Sequence, residues 1–288
     1  MDHSDNLKRG EKGAWLSIFA YIFLATVKLI VGYAGNSDAL RADGLNNSTD
    51  VIASIAVLVG LKISRKPPDE NHHYGHFRAE TIASLFAAFI MMFVGIQVIF
   101  DTIQKVIEGG GLKPDLITGW TALGAAIVMF LVYLYNVKLA KKIDSSSLYA
   151  AAQDNRSDAL VSIGAFIGII GAQFGLFWLD PLAGFVVGLI ICKTAWGIFK
   201  DATHTLTDGF DEEKIKSIRS SVEMDPDVKA VNNIKGRVLG NQPFIDITIL
   251  VDSQLNVKES HDITVRIEQH LYEEHNIKNA HIHIEPFH

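Results

Sequence analysis

The chain has a single cysteine, Cys192, and that scarcity removes two function classes at once. A disulfide framework needs pairs and a thiolate metal cluster needs several ligands, so neither can form within one chain. Net positive charge is also missing: 26 Lys and Arg stand against 32 Asp and Glu, a net charge of -6, which argues against a nucleic-acid partner. There is no nucleophile–base pairing and no phosphate-binding loop, Gly109-Gly110-Gly111 reading as a plain turn. An enzyme and a resident cofactor are therefore not expected. No cleavable signal is expected either, because Met1 to Lys12 is polar and the first apolar run is long enough to stay as an anchor.

Hydrophobic residues are abundant, at 49% of the chain with a mean hydropathy of +0.22. They concentrate between Ala14 and Lys200 in six runs, at about 14–34, 39–63, 80–107, 115–139, 147–173 and 178–200. A spanning helix needs roughly 20 apolar residues. Six such runs in succession leave almost no amphipathic helices to cover them, so they read as spans rather than as a soluble core. Basic residues set the orientation. One side collects Lys8, Arg9, Lys12, Lys62, Arg65, Lys66, Arg78, Lys138, Lys141, Lys142 and Lys200; the other has Lys113, with Lys105 and Arg41 near helix ends. Both termini are then cytoplasmic.

From Asp201 the composition becomes charged and mixed. Asp211–Met224 reads as a helix with an acidic start, Val228–Leu239 and Phe244–Val251 as strands, Val257–His275 as an amphipathic helix and Ala280–Glu285 as a last strand. Gly240, Asn241 and Pro243 supply the break between the first two strands. The expected fold is an α-helical membrane protein with six transmembrane helices plus a C-terminal cytoplasmic α+β domain of order αββαβ. Its divisions are a cytoplasmic segment 1–13, a transmembrane transport domain 14–207, and a cytoplasmic regulatory and dimerisation domain 208–288.

Two segments inside apolar runs are nearly alike: Asn46-Asn47-Ser48-Thr49-Asp50, continuing to Ser54 and Gly60, and Asp154-Asn155-Arg156-Ser157-Asp158, continuing to Ser162 and Gly168. They lie on the second and fifth runs, which cross in opposite directions, as in an inverted repeat with a site near the midplane. Each places two oxygen-bearing side chains four apart, on one helix face. Asn46, Asp50, Asp154 and Asp158 together offer one amide oxygen and three carboxylates, whose repulsion demands a cation or protons. Without His or Cys, such a set suits the hard cations Mn²⁺, Mg²⁺ or Ca²⁺.

Two further groups could hold metal. The loop after the second run carries Asp69, Glu70, His72, His73 and His76, with Asp69, His72 and His76 at the spacing of a mixed N/O site. The tail offers His261, His281, His283, Glu285 and His288, where His281 and His283 alternate on a strand and point the same way.

Taken together, the six spans, the paired motifs, the αββαβ tail and the stretch His72-His73-Tyr74-Gly75-His76-Phe77-Arg78-Ala79-Glu80 resemble the cation diffusion facilitator family of divalent-metal transporters. The resemblance covers nearly the whole chain. It implies a homodimer in the cell membrane that exports metal from the cytoplasm by alternating access against protons. It places Asn46, Asp50, Asp154 and Asp158 at the transport site, and Asp69, His72 and His76 at a loop site. His261, His283 and Glu285 fall at cytoplasmic ligand positions, with Asn232 and Thr248 where zinc carriers have further histidines. Arg78 and Asp208 fall on a charge pair that locks the membrane domain to the tail. Zinc carriers have His where this chain has Asp154, so the resemblance points to the manganese-exporting branch, with zinc, iron or cobalt export as the alternative. A channel and a membrane metal sensor are the non-transporter alternatives.

Overall fold

A computed structural model describes residues 3–64, 66–107, 113–143, 146–239 and 242–287. Gly109–Gly111, Arg65, Gly240, Asn241 and His288, invoked above, lie outside the described residues. Six long helices come first: α1 (His3–Ala34), α2 (Asp38–Ser64), α3 (Arg78–Ile107), α4 (Leu116–Ile143), α5 (Ser146–Gln173) and α6 (Leu179–Leu206). The tail follows as α7 (Glu212–Glu223), β1 (Ala230–Leu239), β2 (Gln242–Asp252), α8 (Val257–His275) and β3 (Asn279–Phe287), the αββαβ order expected. The polar segment before Ala14 is not a separate element, since α1 begins at His3.

Among the described residues, five of the six long helices are apolar enough along their length to cross a membrane. The exception is α5, whose apolar run is interrupted by Asp154, Arg156 and Asp158. The helices are polar inside and apolar outside, the reverse of a soluble bundle. Lys28, Asp43, Asn47, Asn136, Asn155 and Ser162 are fully buried, whereas Phe19, Phe23, Phe86, Phe93, Phe100 and Trp120 are exposed. That inversion fits a lipid surround, where buried polar groups bond across helices. Small residues let the helices approach: Ala39, Ala122 and Ala165 pack with Leu40 and Ile169 between α2, α4 and α5.

The α1–α2 turn is tight and well specified. Asn36 takes a left-handed φ of 51°, the amide of Ser37 donates to Gly32 O, and Ser37 Oγ caps α2 by accepting from the Leu40 amide at 3.1 Å. It fixes where α2 begins, and so the depth of Asn46.

The tail is held by one apolar core. β2 pairs antiparallel with β1 (Ala230↔Leu250) and parallel with β3 (Phe244↔Asn279), giving the order β1-β2-β3. Ile245, Ile247, Ile249 and Val251 alternate inward on β2, as a half-buried strand requires. They meet Ile218 and Val222 of α7 and Ile263, Ile267 and Leu271 of α8. Asn256 starts α8 with a capping box completed by Glu259, and Asn276 ends it at a left-handed φ of 53°.

Candidate functional site

The paired motifs of α2 and α5 meet. Asn46 Nδ2 donates to Asp158 Oδ1 at 3.0 Å, and both side chains are buried. The other oxygen, Asp158 Oδ2, accepts from the Tyr21 hydroxyl at 2.8 Å. Lys28 of α1 pairs with Asp43 of α2 and bonds Ser162 of α5, so a residue of α2 before Asn46 lies near a residue of α5 after Asp158. The two helices are therefore antiparallel, as the paired segments predicted.

Asp50 is half-buried and its Oδ2 is a buried oxygen that accepts no hydrogen bond. A buried carboxylate oxygen left without a donor is costly, and a cation or a proton relieves it. Asp154 is exposed, one helical turn before Asp158. Asp50, Asp154 and Asp158 do not all three bring an oxygen within 4.8 Å of the others, so the four-residue cage is open rather than closed.

Tyr21 and Lys28 escaped the sequence reading, together with the polar groups they hold. Asn155 Nδ2 donates to the Tyr21 hydroxyl at 2.8 Å, and Asn155 Oδ1 accepts from Ser17 Oγ and Asn136 Nδ2, each at 3.0 Å. This chain of bonds fixes Asp158 from behind. The signal that could have found the other cluster is Lys28 itself, an ammonium in the middle of an apolar run.

The loop group does assemble. Asp69, His72 and His76 are the one set of at least three His, Cys, Asp or Glu among the described residues whose ligand atoms all lie within 4.8 Å. His72 Nδ1 lies 2.9 Å from Asp69 Oδ1 and His76 Nε2 3.4 Å from Asp69 Oδ2. The loop shapes itself for this: Asp69 Oδ1 accepts from the amides of Asn71 and His72, and Gly75, at φ 78°, turns the chain so that His76 folds back. The hydrogen bond from His72, chiefly, holds the Asp69 carboxyl below the usual carboxylate range.

The tail group does not assemble. His283 Nε2 lies 3.7 Å from Glu285 Oε1, and Asn232 Nδ2 donates to Glu285 Oε2 at 3.3 Å. His261 sits exposed on α8, bonded to its own helix through Thr264, and does not join them within 4.8 Å. Thr248 faces His283 across the β2–β3 ladder, where it offers a hydroxyl and no ring nitrogen. His281 is exposed opposite Asp246. Arg78 Nη2 and Asp208 Oδ1 do pair, at 2.7 Å, but the side chains are 46% and 49% exposed. Within one chain this is a surface pair.

Comparison with known proteins follows the same division. The family model for a cation efflux transmembrane domain matches residues 14–207, and that for the cation efflux protein cytoplasmic domain matches residues 210–287. The chain belongs to the cation diffusion facilitator family. It is 54% identical over 286 residues to the manganese efflux system protein MneS of Bacillus subtilis (strain 168), covering 99% of both chains. The same organism supplies two further relatives. One is the uncharacterized transporter YdbO, at 51% identity with 99% of both chains covered. The other is the manganese efflux system protein MneP, at 28% identity with 99% and 98% covered. As a cation diffusion facilitator the chain is an integral membrane protein that exports divalent metal cations, and it is not an enzyme.

Proposed function

We infer that this cation diffusion facilitator exports Mn²⁺ from the cytoplasm, with Asn46, Asp50, Asp154 and Asp158 as its transport ligands. The observation that carries the reading is the buried, donor-free Oδ2 of Asp50 beside an all-oxygen donor set on two antiparallel helices. Hard oxygens suit Mn²⁺, whereas zinc favours imidazole or thiolate, which this set lacks. The 54% identity to a protein named for manganese efflux supports the same metal.

The ion-free arrangement implies the first step. Asn46 offers its N–H₂ to Asp158, so it must turn its amide to present oxygen to an ion, and that turn frees Asp158 Oδ1 as a second ligand. Tyr21 keeps Oδ2 occupied meanwhile, so Asp158 stays aimed. The ion enters by Asp154, the exposed member, and rocking of the helices reopens the site on the other face. A carboxylate, Asp154, takes the returning proton. The working unit is a homodimer in the cell membrane with both termini cytoplasmic, divided into a transport domain 14–207 and a cytoplasmic domain 208–288. The loop triad Asp69, His72 and His76 is a second, mixed-donor metal site. His283 and Glu285, without His261, are at most a weak one.

The test is metal sensitivity of a deletion strain complemented with this chain, scored across Mn²⁺, Zn²⁺, Fe²⁺ and Co²⁺. Restored tolerance to Mn²⁺ supports the reading. Restored tolerance to Zn²⁺ alone overturns the metal assignment, and a sensor would leave cellular metal content unchanged in every arm.

A further inference from the structure

Lys28 has no place in the transport scheme above, yet it is the largest fully buried charged side chain of the helices, with nothing of it exposed. Its ammonium donates to Asn47 Oδ1 at 2.7 Å and to Ser162 Oγ at 2.9 Å, and forms an ion pair with Asp43 Oδ1 at 2.9 Å. Asp43, Asn47 and Ser162 are likewise fully buried. This is a cation held in an oxygen cage, and the cation belongs to the protein.

The cage repeats the transport ligands one helical turn away. Asp43 lies three residues before Asn46, Asn47 directly follows Asn46, and Ser162 lies four after Asp158. Because α2 and α5 run antiparallel, the displacements of Asp43 and Ser162 both lead toward the α1–α2 turn, away from the exposed Asp154, while Asn47 stays within one residue of Asn46. The cage also has spare capacity, since both Asp43 oxygens are buried and neither accepts a hydrogen bond, the ammonium meeting Oδ1 as an ion pair only.

We propose that Lys28 is a tethered cation occupying a second oxygen cage on the ion's path, so that a metal ion leaving toward the α1–α2 turn must displace the ammonium from Asp43, Asn47 and Ser162. Two cations cannot share one carboxylate cage without strong repulsion. While Lys28 is seated, the cage therefore closes that side of the site; when it swings out, the same oxygens receive the ion. The proposal rests on the transport ligands named above, because it needs an ion arriving from Asp158.

Removing the ammonium should turn the cage into a metal site. In equilibrium dialysis of the purified full-length protein, Lys28→Ala is expected to bind one more Mn²⁺ per chain than wild type. The added ion should be lost again in Lys28→Ala/Asp43→Asn. Proteoliposome export by Lys28→Ala should fall by roughly tenfold or more, since an unopposed buried carboxylate traps the ion. Lys28→Arg, which keeps the charge, should retain wild-type stoichiometry. Should Lys28→Ala fail to fold, Asp43→Asn still decides: it leaves the ammonium unpaired beside the site and should weaken Mn²⁺ binding by roughly tenfold or more. Wild-type stoichiometry and export in Lys28→Ala, or wild-type affinity in Asp43→Asn, overturns the proposal. Asp158→Ala separates the two readings. Unaltered Mn²⁺ binding there removes the transport-site assignment itself, whereas lost binding there with an unchanged Lys28→Ala removes only the cage.

Discussion

Replacing Asp208 separates stability from function, because its backbone and its side chain contribute with opposite signs. Asp208 follows α6 in the left-handed region, φ 59°, where the Gly209 amide donates to His204 O at 2.8 Å and its own amide to Thr205 O at 3.2 Å. Those two bonds form a Schellman cap whose left-handed position is normally glycine. Holding a side chain there costs about 1 kcal/mol. The Arg78 pair it makes is about half-exposed on both sides, and such pairs contribute about 0.2–1 kcal/mol. Asp208→Gly should therefore be nearly neutral, the relieved backbone offsetting the lost pair. Asp208→Ala keeps the strain and loses the pair, so it should be about 1 kcal/mol less stable than Asp208→Gly, roughly 2–4 °C in Tm for a protein of this size. Melting of the detergent-purified protein reads the first quantity and proteoliposome uptake the second. If the pair couples the tail to transport, both variants lose flux, although only one loses stability. Wild-type flux in Asp208→Gly would refute the coupling. A loss above about 2 kcal/mol in that variant would refute the exposed-pair energetics and point to burial of the pair in the assembled protein.

Asp154→His should raise Zn²⁺ transport relative to Mn²⁺, since imidazole is the softer donor and one carboxylate is lost. A competition assay checks this, and an unchanged ratio means selectivity is set elsewhere, with Asn46→Asp the next variant to test. In the tail, burial raises the Asp225 carboxyl but the two-pronged bond from Arg266 (2.8 and 3.0 Å) outweighs it and holds the group below its usual range. A depressed carboxylate stabilises the fold above its unfolded value of about 3.9, and the gain disappears as pH falls through the folded value. Arg266→Ala should therefore speed amide exchange in α8 at pH 7 and have a diminishing effect toward pH 3; an effect that grows on acidification contradicts the assignment.

The elements were legible where periodicity speaks directly. The Phe-Ile-Asp-Ile-Thr-Ile alternation gave β2 its inward face, and the apolar runs gave six helices to within a few residues at most of their ends. Where α1 begins was not legible, because a polar stretch can continue a helix past the lipid without any change in period. The meeting of Asn46 with Asp158 was legible from paired spacing, and so was the Asp69–His72–His76 triad. The residues behind them were not. A lone Lys28 or Asn136 scarcely lowers the hydropathy of its run, and Tyr21 passes for an interfacial aromatic, so only their contacts disclose the network. His261 failed for the opposite reason: sequence resemblance carried it to a ligand position while α8 kept it apart from His283 and Glu285.

Mn²⁺ uptake into proteoliposomes bearing Asp50→Ala, Asp154→Ala or Asp158→Ala addresses the transport site directly, provided each variant is shown to be folded. Each substitution removes one negative charge from a set built to neutralise a dication, so each should abolish uptake, with Asn46→Ala milder because water can replace a neutral ligand. Wild-type rates from all three acid variants would contradict the assignment of the site to these residues.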